Sequence, residues 1–247
     1  MARPLIIGHR GASARAPENT LAAFERAFQD GADGIELDVT LSSEGVPVVI
    51  HDDTLNRTAG ADGCVWQRSV FELKSLDAGS WFGPEFAGER IPTLAEALEL
   101  SKGRGLVNVE IKSSWESSRN GGPSPKVLAR AVTRVIETHA DSESIIVSSF
   151  DPRVLRRVRG LAPALKRGFL RSSRQIRPWT PFALWARPDF LHPDVALVDE
   201  AARWIGGYEK LLVWTVDGPF EQERLAAAGV KAIITNRPAA ALSRLPP

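Results

Sequence analysis

The sequence predicts a (β/α)8 TIM barrel. About eight short β-rich runs alternate with helical runs along 247 residues, and no break in composition marks a second domain. Polar residues stand at or just after the predicted strand ends, which is where barrels carry their chemistry. We therefore predict one barrel domain over residues 1–247. The alternative is an open doubly wound sheet, but the chain has no G-x-G-x-x-G motif and no P-loop.

The chain opens with a short strand followed by a helix. Residues 5–8 are apolar and end at glycine, which is typical of a short strand. A helix is expected from Asn19 or Thr20 through Asp30, because either of the first two side chains can cap it and apolar residues then recur at helical spacing. Gly31 follows the helix end, where glycine readily adopts the positive φ that closes a helix.

The next predicted strand, residues 34–40, is the most informative one because apolar and polar side chains alternate along it. A further β-run covers residues 47–50. Residues 52–91 are rich in Gly, Asp and Trp and predict an irregular excursion. A helix is then expected from Pro92 to about Ser101.

The second half of the chain continues the alternation. The expected strands are residues 105–112, 144–148, 166–170, 189–192, 211–215 and 233–235. The expected helices are residues 125–138, 152–159 and 219–228, with a short helix from Pro238. Residues 113–124 predict a polar loop. In residues 171–188 Arg, Trp and Pro interrupt any period, so no element is predicted there before the weak strand at 189–192.

Charge and composition exclude several classes of protein. The formal net charge is +1, so bulk charge predicts neither a nucleic-acid partner nor binding to a membrane surface. The single cysteine, Cys64, cannot form an internal disulfide. No leader-like segment and no apolar run of about 20 residues is present, so we expect a cytoplasmic protein without a stable membrane anchor. The sequence leaves the oligomeric state open.

Three carboxylates are the candidate metal ligands. Glu36 and Asp38 are two residues apart in a β-run and therefore point to the same side of the strand. Glu110 stands in a second strand with the same alternation. Carboxylate oxygens suit a hard divalent cation such as Mg²⁺ or Ca²⁺, with Mn²⁺ as a further candidate. The alternative is that all three are rim charges paired with Arg or Lys.

Two of the four histidines follow strand ends and are candidates for acid–base work. His9 and His51 each come directly after a predicted strand, and imidazole titrates near neutral pH. The alternative is that one of them is a metal ligand or a structural hydrogen-bonding group. His139 at a helix end and His192 before a proline are expected to be structural.

Cationic residues beside these groups could hold a phosphate. Arg10 follows His9, and Lys112 stands two residues after Glu110, so both can reach the same rim. The alternative for Lys112 is an ion pair with a carboxylate. Trp214 ends a predicted strand and either walls a pocket or packs in the core.

The chain resembles the glycerophosphodiester phosphodiesterase family. The motifs that carry the resemblance run in order through nearly the whole chain, densely over residues 5–112 and sparsely over 113–210. They are His9-Arg10-Gly11, Pro17-Glu18-Asn19-Thr20, Gly31-Ala32-Asp33, Glu36-x-Asp38-Val39, Pro47-Val48, His51-Asp52, Thr54-Leu55-x-Arg57-Thr58, Leu76-Asp77-Ala78-Gly79-x-Trp81-Phe82, Ile91-Pro92-Thr93-Leu94, Glu110-Ile111-Lys112, Ser148-Ser149-Phe150, Trp214-Thr215-Val216 and Thr235-Asn236-Arg237-Pro238.

The resemblance implies metal-dependent hydrolysis of glycerophosphodiesters to sn-glycerol 3-phosphate and an alcohol. It also implies a TIM barrel with a small inserted subdomain after the second strand region, here residues 52–91. It implies His9 and His51 as the acid–base pair, without saying which is the acid. It implies one divalent cation on three carboxylates, two cations near the phosphate, and two aromatic contacts to the glycerol backbone. The residues in these roles are Glu36, Asp38 and Glu110, then Arg10 and Lys112, then Phe150 and Trp214.

Two residues depart from the family pattern. Asn236 stands where the family more usually has Asp, and Asp217 stands where Asn is common. Neither belongs to the set above. The alternatives of related chemistry are a cyclising, phospholipase-D-like lyase and a lysophospholipase-D-like enzyme acting on lipid-tailed substrates. A non-catalytic binding barrel is the alternative of a different class, but it should have lost a histidine or a carboxylate of the set.

Overall fold

A computed structural model describes residues 3–113, 119–174 and 180–245 of the chain. Parts of two stretches therefore lie outside the described residues, namely 114–118 of the predicted polar loop and 175–179 of the stretch 171–188. No helix among the described residues has the length and apolar character needed to cross a membrane.

Strands and helices alternate along the chain. The strands are β1 Leu5–His9, β2 Gly34–Leu41, β3 Pro47–Val49, β4 Leu106–Ile111, β5 Ile145–Ser149, β6 Lys166–Arg171, β7 Phe190–Pro193, β8 Leu212–Val213 and β9 Ala232–Thr235. The helices, numbered in chain order, are α1 Leu21–Gln29, α2 Asn56–Ala59, α3 Val70–Ser75, α4 Leu94–Ser101, α5 Pro125–His139, α6 Pro152–Leu161, α7 Thr180–Ala186, α8 Val198–Ile205, α9 Pro219–Ala228 and α10 Pro238–Arg244.

Eight parallel strands form a barrel. Their order is β7-β6-β5-β4-β2-β1-β9-β8. The two ends of this order, β7 and β8, meet through isolated parallel bridges that join Leu191 to Leu211 and Asp194 to Trp214. The barrel prediction is confirmed, and the open doubly wound alternative is wrong.

The remaining strand, β3, lies outside the barrel wall. It pairs antiparallel with the end of β2, where Val39 is opposite Val49. This hairpin directs the chain into residues 52–91, which contain α2, α3 and irregular backbone. Buried apolar residues of the hairpin and the excursion form a hydrophobic cluster of their own: Val48, Ile50, Leu55, Val65, Leu73, Ala78 and Ile91. The division into one domain with an inserted subdomain stays a prediction.

The two faces of the barrel strands are chemically different. Outward side chains of β2 and β4, such as Ile35 and Val107, pack with the surrounding helices in the largest hydrophobic cluster. Inward side chains of β1 and β9 that precede the polar strand ends are apolar, including Ile7 and Ile234. Because side chains alternate along a strand, the burial of the outward face fixes Glu36 and its polar neighbours toward the barrel interior.

The elements that the sequence pattern missed are weak locally. Helix α8 was not predicted, and α7 lies in the stretch where no period could be read. The predicted strand 211–215 is shortened to Leu212–Val213. Helix α1 begins as expected, because the Thr20 side chain accepts a hydrogen bond from the backbone N–H of Ala23. Gly31 has the expected positive φ of 86°.

Candidate active site

The three predicted carboxylates meet inside the barrel. Adjacent strands β2 and β4 pair so that Asp38 is level with Glu110, and Glu36 lies two residues earlier on the same face. One ligand oxygen of each of the three lies within 4.8 Å of the others. All three residues are buried, with at most 8% of their surface exposed.

Two cations lie against this carboxylate cluster. The Lys112 ammonium donates to Glu110 Oε1 at 2.9 Å and is 3.5 Å from Asp38 Oδ1. The Arg10 backbone N–H donates to Glu36 Oε2 at 2.9 Å, and its Nε is 3.1 Å from Asp38 Oδ2. Lys112 therefore does form the ion pair with a carboxylate that the sequence offered as an alternative. The same ammonium also faces the barrel interior.

The charges in the cluster do not balance. Three carboxylates face two cations, and Glu36 has no Lys or Arg side chain within salt-bridge distance among the described residues; its nearest basic partner is His9 Nε2 at 3.9 Å. Burial, followed by the charges of Asp38 and Glu110, raises the pKa of Glu36 well above its ordinary value. A buried group of carboxylate oxygens with unbalanced negative charge fits a hard divalent cation.

The pKa of Asp38 shifts in the opposite direction from that of Glu36. Burial alone would raise the pKa of this carboxyl, but Lys112 and Arg10 outweigh it and hold the pKa below its ordinary value. The Asn19 amide adds to this, because its Nδ2 donates to Asp38 Oδ2 at 2.9 Å while its Oδ1 accepts from the Asp38 backbone N–H. Asn19 adopts a positive φ of 59° in this position. Sequence spacing indicated Asn19 as a candidate helix cap and did not predict this contact.

His9 ends β1 and lies beside the carboxylate cluster. Its Nδ1 lies 2.7 Å from Asn236 Oδ1, and its Nε2 faces Glu36. Burial, followed by the charge of Arg10, lowers the pKa of His9 to about 4, so the imidazole is neutral near pH 7. A neutral imidazole with one nitrogen anchored and the other facing the carboxylate cluster is suited to exchange a proton there.

His51 follows β3 and lines a small pocket together with Glu18 and Asn19. Its Nδ1 is 2.6 Å from Asp52 Oδ1, and its side chain is 32% exposed. Although burial opposes it, hydrogen bonds from Arg57 and His51 lower the pKa of Asp52 to about 2. A carboxylate at Nδ1 orients the ring and leaves Nε2 as the free nitrogen.

A chain of ion pairs, which the sequence did not reveal, connects His51 with Arg10. Arg57 donates from Nε to Asp52 Oδ2 at 2.6 Å and from both terminal nitrogens to Glu18 at 2.8 Å. Glu18 Oε1 also accepts from Arg10 at 2.8 Å. The signal was present, since Glu18, Asp52 and Arg57 all stand in the quoted motifs, but nothing in the spacing showed that they touch.

The two departures from the family pattern lie together. Asn236 Nδ2 donates to Asp217 Oδ2 at 2.6 Å, and Asn236 Oδ1 faces His9. Both residues follow strand ends, after β9 and β8. They belong to the surroundings of His9, a role that the sequence did not assign.

The two predicted aromatic residues contact each other. The rings of Phe150 and Trp214 meet edge to face, with centroids 5.6 Å apart. Trp214 Nε1 donates to the backbone carbonyl of His192 at 2.7 Å. Both side chains are half-buried at the strand ends, and their contact with a substrate stays a prediction.

The other two histidines lie away from the cluster. His139 is the last residue of α5, at the helix terminus that favours positive charge. His192 is fully buried on β7, and burial lowers its pKa to about 3. Its ring packs over Gly168, where an added Cβ would lie 2.2 Å from His192 Nε2.

Comparison with known sequences identifies relatives that match over nearly the full length. Residues 9–240 match the profile of the glycerophosphoryl diester phosphodiesterase family. A glycerophosphodiester phosphodiesterase of Caldanaerobacter subterraneus subsp. tengcongensis is 42% identical over 241 residues, which are 96% of this chain and 95% of that protein. Another, from Bacillus subtilis, is 32% identical over 254 residues, covering 96% of this chain and 84% of its own length.

Solved structures agree with the sequence relatives. An Oleispira antarctica phosphodiesterase in complex with the product sn-glycerol-3-phosphate aligns with a TM-score of 0.87 and 32% identity, over 98% of this chain and 96% of that chain. A glycerophosphodiester phosphodiesterase of Thermotoga maritima aligns with a TM-score of 0.76 and 27% identity, over 98% and 99%. The chain therefore belongs to the glycerophosphoryl diester phosphodiesterase family, a family of phosphodiester-hydrolysing enzymes, as its motifs predicted.

Proposed function

We propose that this protein hydrolyses glycerophosphodiesters to sn-glycerol 3-phosphate and an alcohol, with a divalent cation bound by Glu36, Asp38 and Glu110. The observation that carries the proposal is the meeting of three buried carboxylates within 4.8 Å at the site where His9 also points into the barrel. The solved relative bound to sn-glycerol-3-phosphate supports the product class. Mg²⁺, Ca²⁺ and Mn²⁺ all suit such oxygen ligands.

The cationic side chains bind the phosphate in this proposal. Arg10 and Lys112 both face the carboxylates, and a phosphate at the cluster would lie within reach of both. Burial would lower the pKa of Lys112, but Glu110 and Asp38 outweigh it and raise the pKa, so the ammonium stays charged. When bound, the divalent cation supplies further positive charge that polarises the phosphodiester.

The two histidines move the protons. One accepts the proton of a glycerol hydroxyl as its oxygen attacks phosphorus, and the other donates a proton to the oxygen of the leaving alcohol. This first step leaves a cyclic phosphate on the glycerol. Water then opens the cyclic phosphate, with the roles of the two histidines reversed. His9 and His51 each have Nδ1 held by a neighbour, so Nε2 is the exchanging nitrogen in both. Phe150 and Trp214 provide apolar contacts for the glycerol backbone.

The reaction is tested directly with glycerophosphocholine and glycerophosphoethanolamine. We expect no glycerol 3-phosphate in chelator and its release when Mg²⁺, Ca²⁺ or Mn²⁺ is restored, measured by a coupled assay. Consumption of substrate without glycerol 3-phosphate would indicate a lyase that stops at the cyclic phosphate. If neither substrate is consumed with any ion, the proposal is wrong for these head groups, and lysophospholipids become the next substrates to assay.

The histidine roles are tested by single substitutions. His9→Ala and His51→Ala should each lower kcat by about 10²–10⁴-fold, the usual contribution of a general acid or base. His139→Ala is the matched control, because it removes an imidazole far from the cluster. Thermal unfolding should show that all three variants remain folded. Near-normal turnover of either site variant would remove that residue from the mechanism.

A further inference from the structure

The orientation of the Asn236 amide is fixed by the Asp217 carboxylate. The Asn236 backbone N–H donates to Asp217 Oδ1 at 2.9 Å, and the Thr235 hydroxyl donates to the same oxygen at 2.8 Å. Asp217 Oδ2 then accepts from Asn236 Nδ2 at 2.6 Å. Because a carboxylate only accepts hydrogen bonds, the NH₂ group of Asn236 must face Asp217 and its Oδ1 must face away.

This orientation sets the position of the proton on His9. Asn236 Oδ1 lies 2.7 Å from His9 Nδ1 and accepts from the Ser13 hydroxyl at 2.8 Å. An amide oxygen cannot donate, so His9 Nδ1 must carry the hydrogen. A neutral imidazole has one N–H and one lone pair, and the lone pair is therefore on Nε2, which faces Glu36 across 3.9 Å.

We propose that Asp217 is a positioning residue that acts through Asn236 to keep the proton of neutral His9 on Nδ1, so that Nε2 is the atom that exchanges a proton with the substrate. The effect on turnover rests on the proposed function. The tautomer of His9 is independent of it and is measured without substrate. Asp217 accepts hydrogen bonds from Thr235 and Asn236, and it is through Asn236 that it reaches His9.

Replacing the Asp217 carboxylate with an amide should reverse the direction of the hydrogen bonds that connect Asp217, Asn236 and His9. In Asp217→Asn, the backbone N–H of Asn236 still requires an acceptor, so the new amide oxygen keeps the Oδ1 place. The new NH₂ group then opposes the NH₂ of Asn236, and two donors cannot pair. Asn236 relieves this by rotating its amide, which turns its NH₂ toward His9 Nδ1. His9 must then accept at Nδ1 and carry its proton on Nε2.

Exchanging the two side chains should restore the original polarity. In the double variant Asp217→Asn/Asn236→Asp, the carboxylate at position 236 accepts both from the amide at 217 and from His9 Nδ1. Asn236→Asp alone places two carboxylates at a distance of 2.6 Å and is expected to be the least stable of the three variants. The exchange therefore separates hydrogen-bond polarity from simple packing.

The test is the tautomer of His9, read by long-range ¹H–¹⁵N correlation spectra of ¹⁵N-histidine-labelled protein at pH 8. The signals of His9 are identified by their loss in His9→Gln. We expect Nδ1–H in the wild type, Nε2–H in Asp217→Asn and Nδ1–H again in the double variant. Asp194→Asn is the matched control, since Asp194 accepts backbone N–H bonds at another strand end and should leave His9 unchanged. Nε2–H in the wild type, or no change in Asp217→Asn, would overturn the proposal.

Kinetics supply the second readout. Asp217→Asn should lower kcat about 10²-fold or more with little change in KM, and the double variant should recover most of this loss. If Asp217→Asn loses turnover and the double variant does not regain it, although both are folded, the role through Asn236 is refuted. If no variant and no wild type hydrolyses a glycerophosphodiester while the tautomers follow the expected pattern, the proposed function fails and the positioning role stands.

Discussion

Replacement of Glu36 by glutamine should make the metal-free protein more stable while removing its activity. Glu36 is 3% exposed and has no lysine or arginine side chain within salt-bridge distance among the described residues. Its Oε2 accepts from the Arg10 backbone N–H, and an amide oxygen can keep that hydrogen bond. Glu36→Gln therefore removes a charge from the carboxylate cluster with little change in shape.

The size of the effect follows from Coulomb's law. Two unit charges 4.8 Å apart repel by about 3.5 kcal/mol at an effective dielectric constant of about 20. Glu36 faces two such neighbours, Asp38 and Glu110, and Arg10 offsets part of the sum. At pH 8 the folded state is destabilised in one of two ways. Either Glu36 stays ionised and is repelled by its neighbours, or it must bind a proton from a solution in which a free carboxyl is ionised. We expect a net gain of about 2 kcal/mol, which for a chain of this size is a Tm increase of about 4–8 °C.

Thermal unfolding followed by circular dichroism measures this in two conditions. In EDTA, Glu36→Gln should melt above the wild type. In excess Mg²⁺ or Ca²⁺, the wild type gains stability in proportion to the logarithm of the cation concentration over its Kd. The variant has lost a ligand, so it should gain less and its advantage should shrink or reverse. Turnover of the variant should fall to background with every cation.

Glu99→Gln is the control for the loss of a carboxylate as such, because Glu99 is exposed on α4. Its melting temperature should stay within about 1 °C of the wild type in both conditions. The reasoning is refuted if Glu36→Gln melts below the wild type in EDTA. An equal cation-induced shift in the wild type and the variant would exclude Glu36 as a ligand.

Three further predictions concern two residues of the site and one close contact elsewhere in the barrel. Lys112→Gln should raise the inhibition constant of glycerol 3-phosphate by about ten- to hundredfold, since a hydrogen bond to a charged group is worth about 1.5–3 kcal/mol; an unchanged constant with a lower Tm would support a purely structural ion pair. Asp52 has its pKa lowered from 3.8 to about 2, so its contribution to stability is present above pH 4 and is lost as the pH falls through 2. The deficit of Asp52→Asn in urea unfolding should therefore shrink over that interval, whereas a constant deficit contradicts the assignment. Gly168→Ala should lower the free energy of unfolding by about 1–3 kcal/mol, because its Cβ would lie 2.2 Å from His192 Nε2. Gly160→Ala is the control: its Cβ would meet nothing within 4 Å, so calorimetry should show unchanged or increased stability.

The alternation of apolar and polar residues was sufficient to predict which side chains of the barrel strands face inward. Alternation along residues 34–40 placed Glu36 and Asp38 on one face, and β2 has them there because the opposite face, with Ile35 and Leu37, packs against the helices. The period of two is a property of the extended backbone itself, so it can be read without knowing the partner strand. The same reasoning correctly placed Glu110 on β4.

Weak local signals explain the elements that were missed. Helix α7 has seven residues and α8 has eight, and such short elements carry too few side chains to show a period. Strand β8 was predicted as residues 211–215 and is only shorter in the structure. Packing in the fold stabilises them, since Leu211 and Val213 belong to the same buried cluster as Val198 and Ala201 of α8. Such contacts join residues that are distant in sequence and leave no mark on the local pattern.

The sequence by itself determined which residue types stand at the strand ends and therefore which chemistry the barrel can carry. Only the tertiary structure decided which of them touch. Strand register brings Asp38 level with Glu110, and barrel closure brings Asn236 to His9 across 227 residues of chain. Hydrogen-bond polarity and charge balance depend on these long-range contacts, because a carboxylate or an imidazole takes its protonation from its neighbours in space and not from its neighbours in sequence.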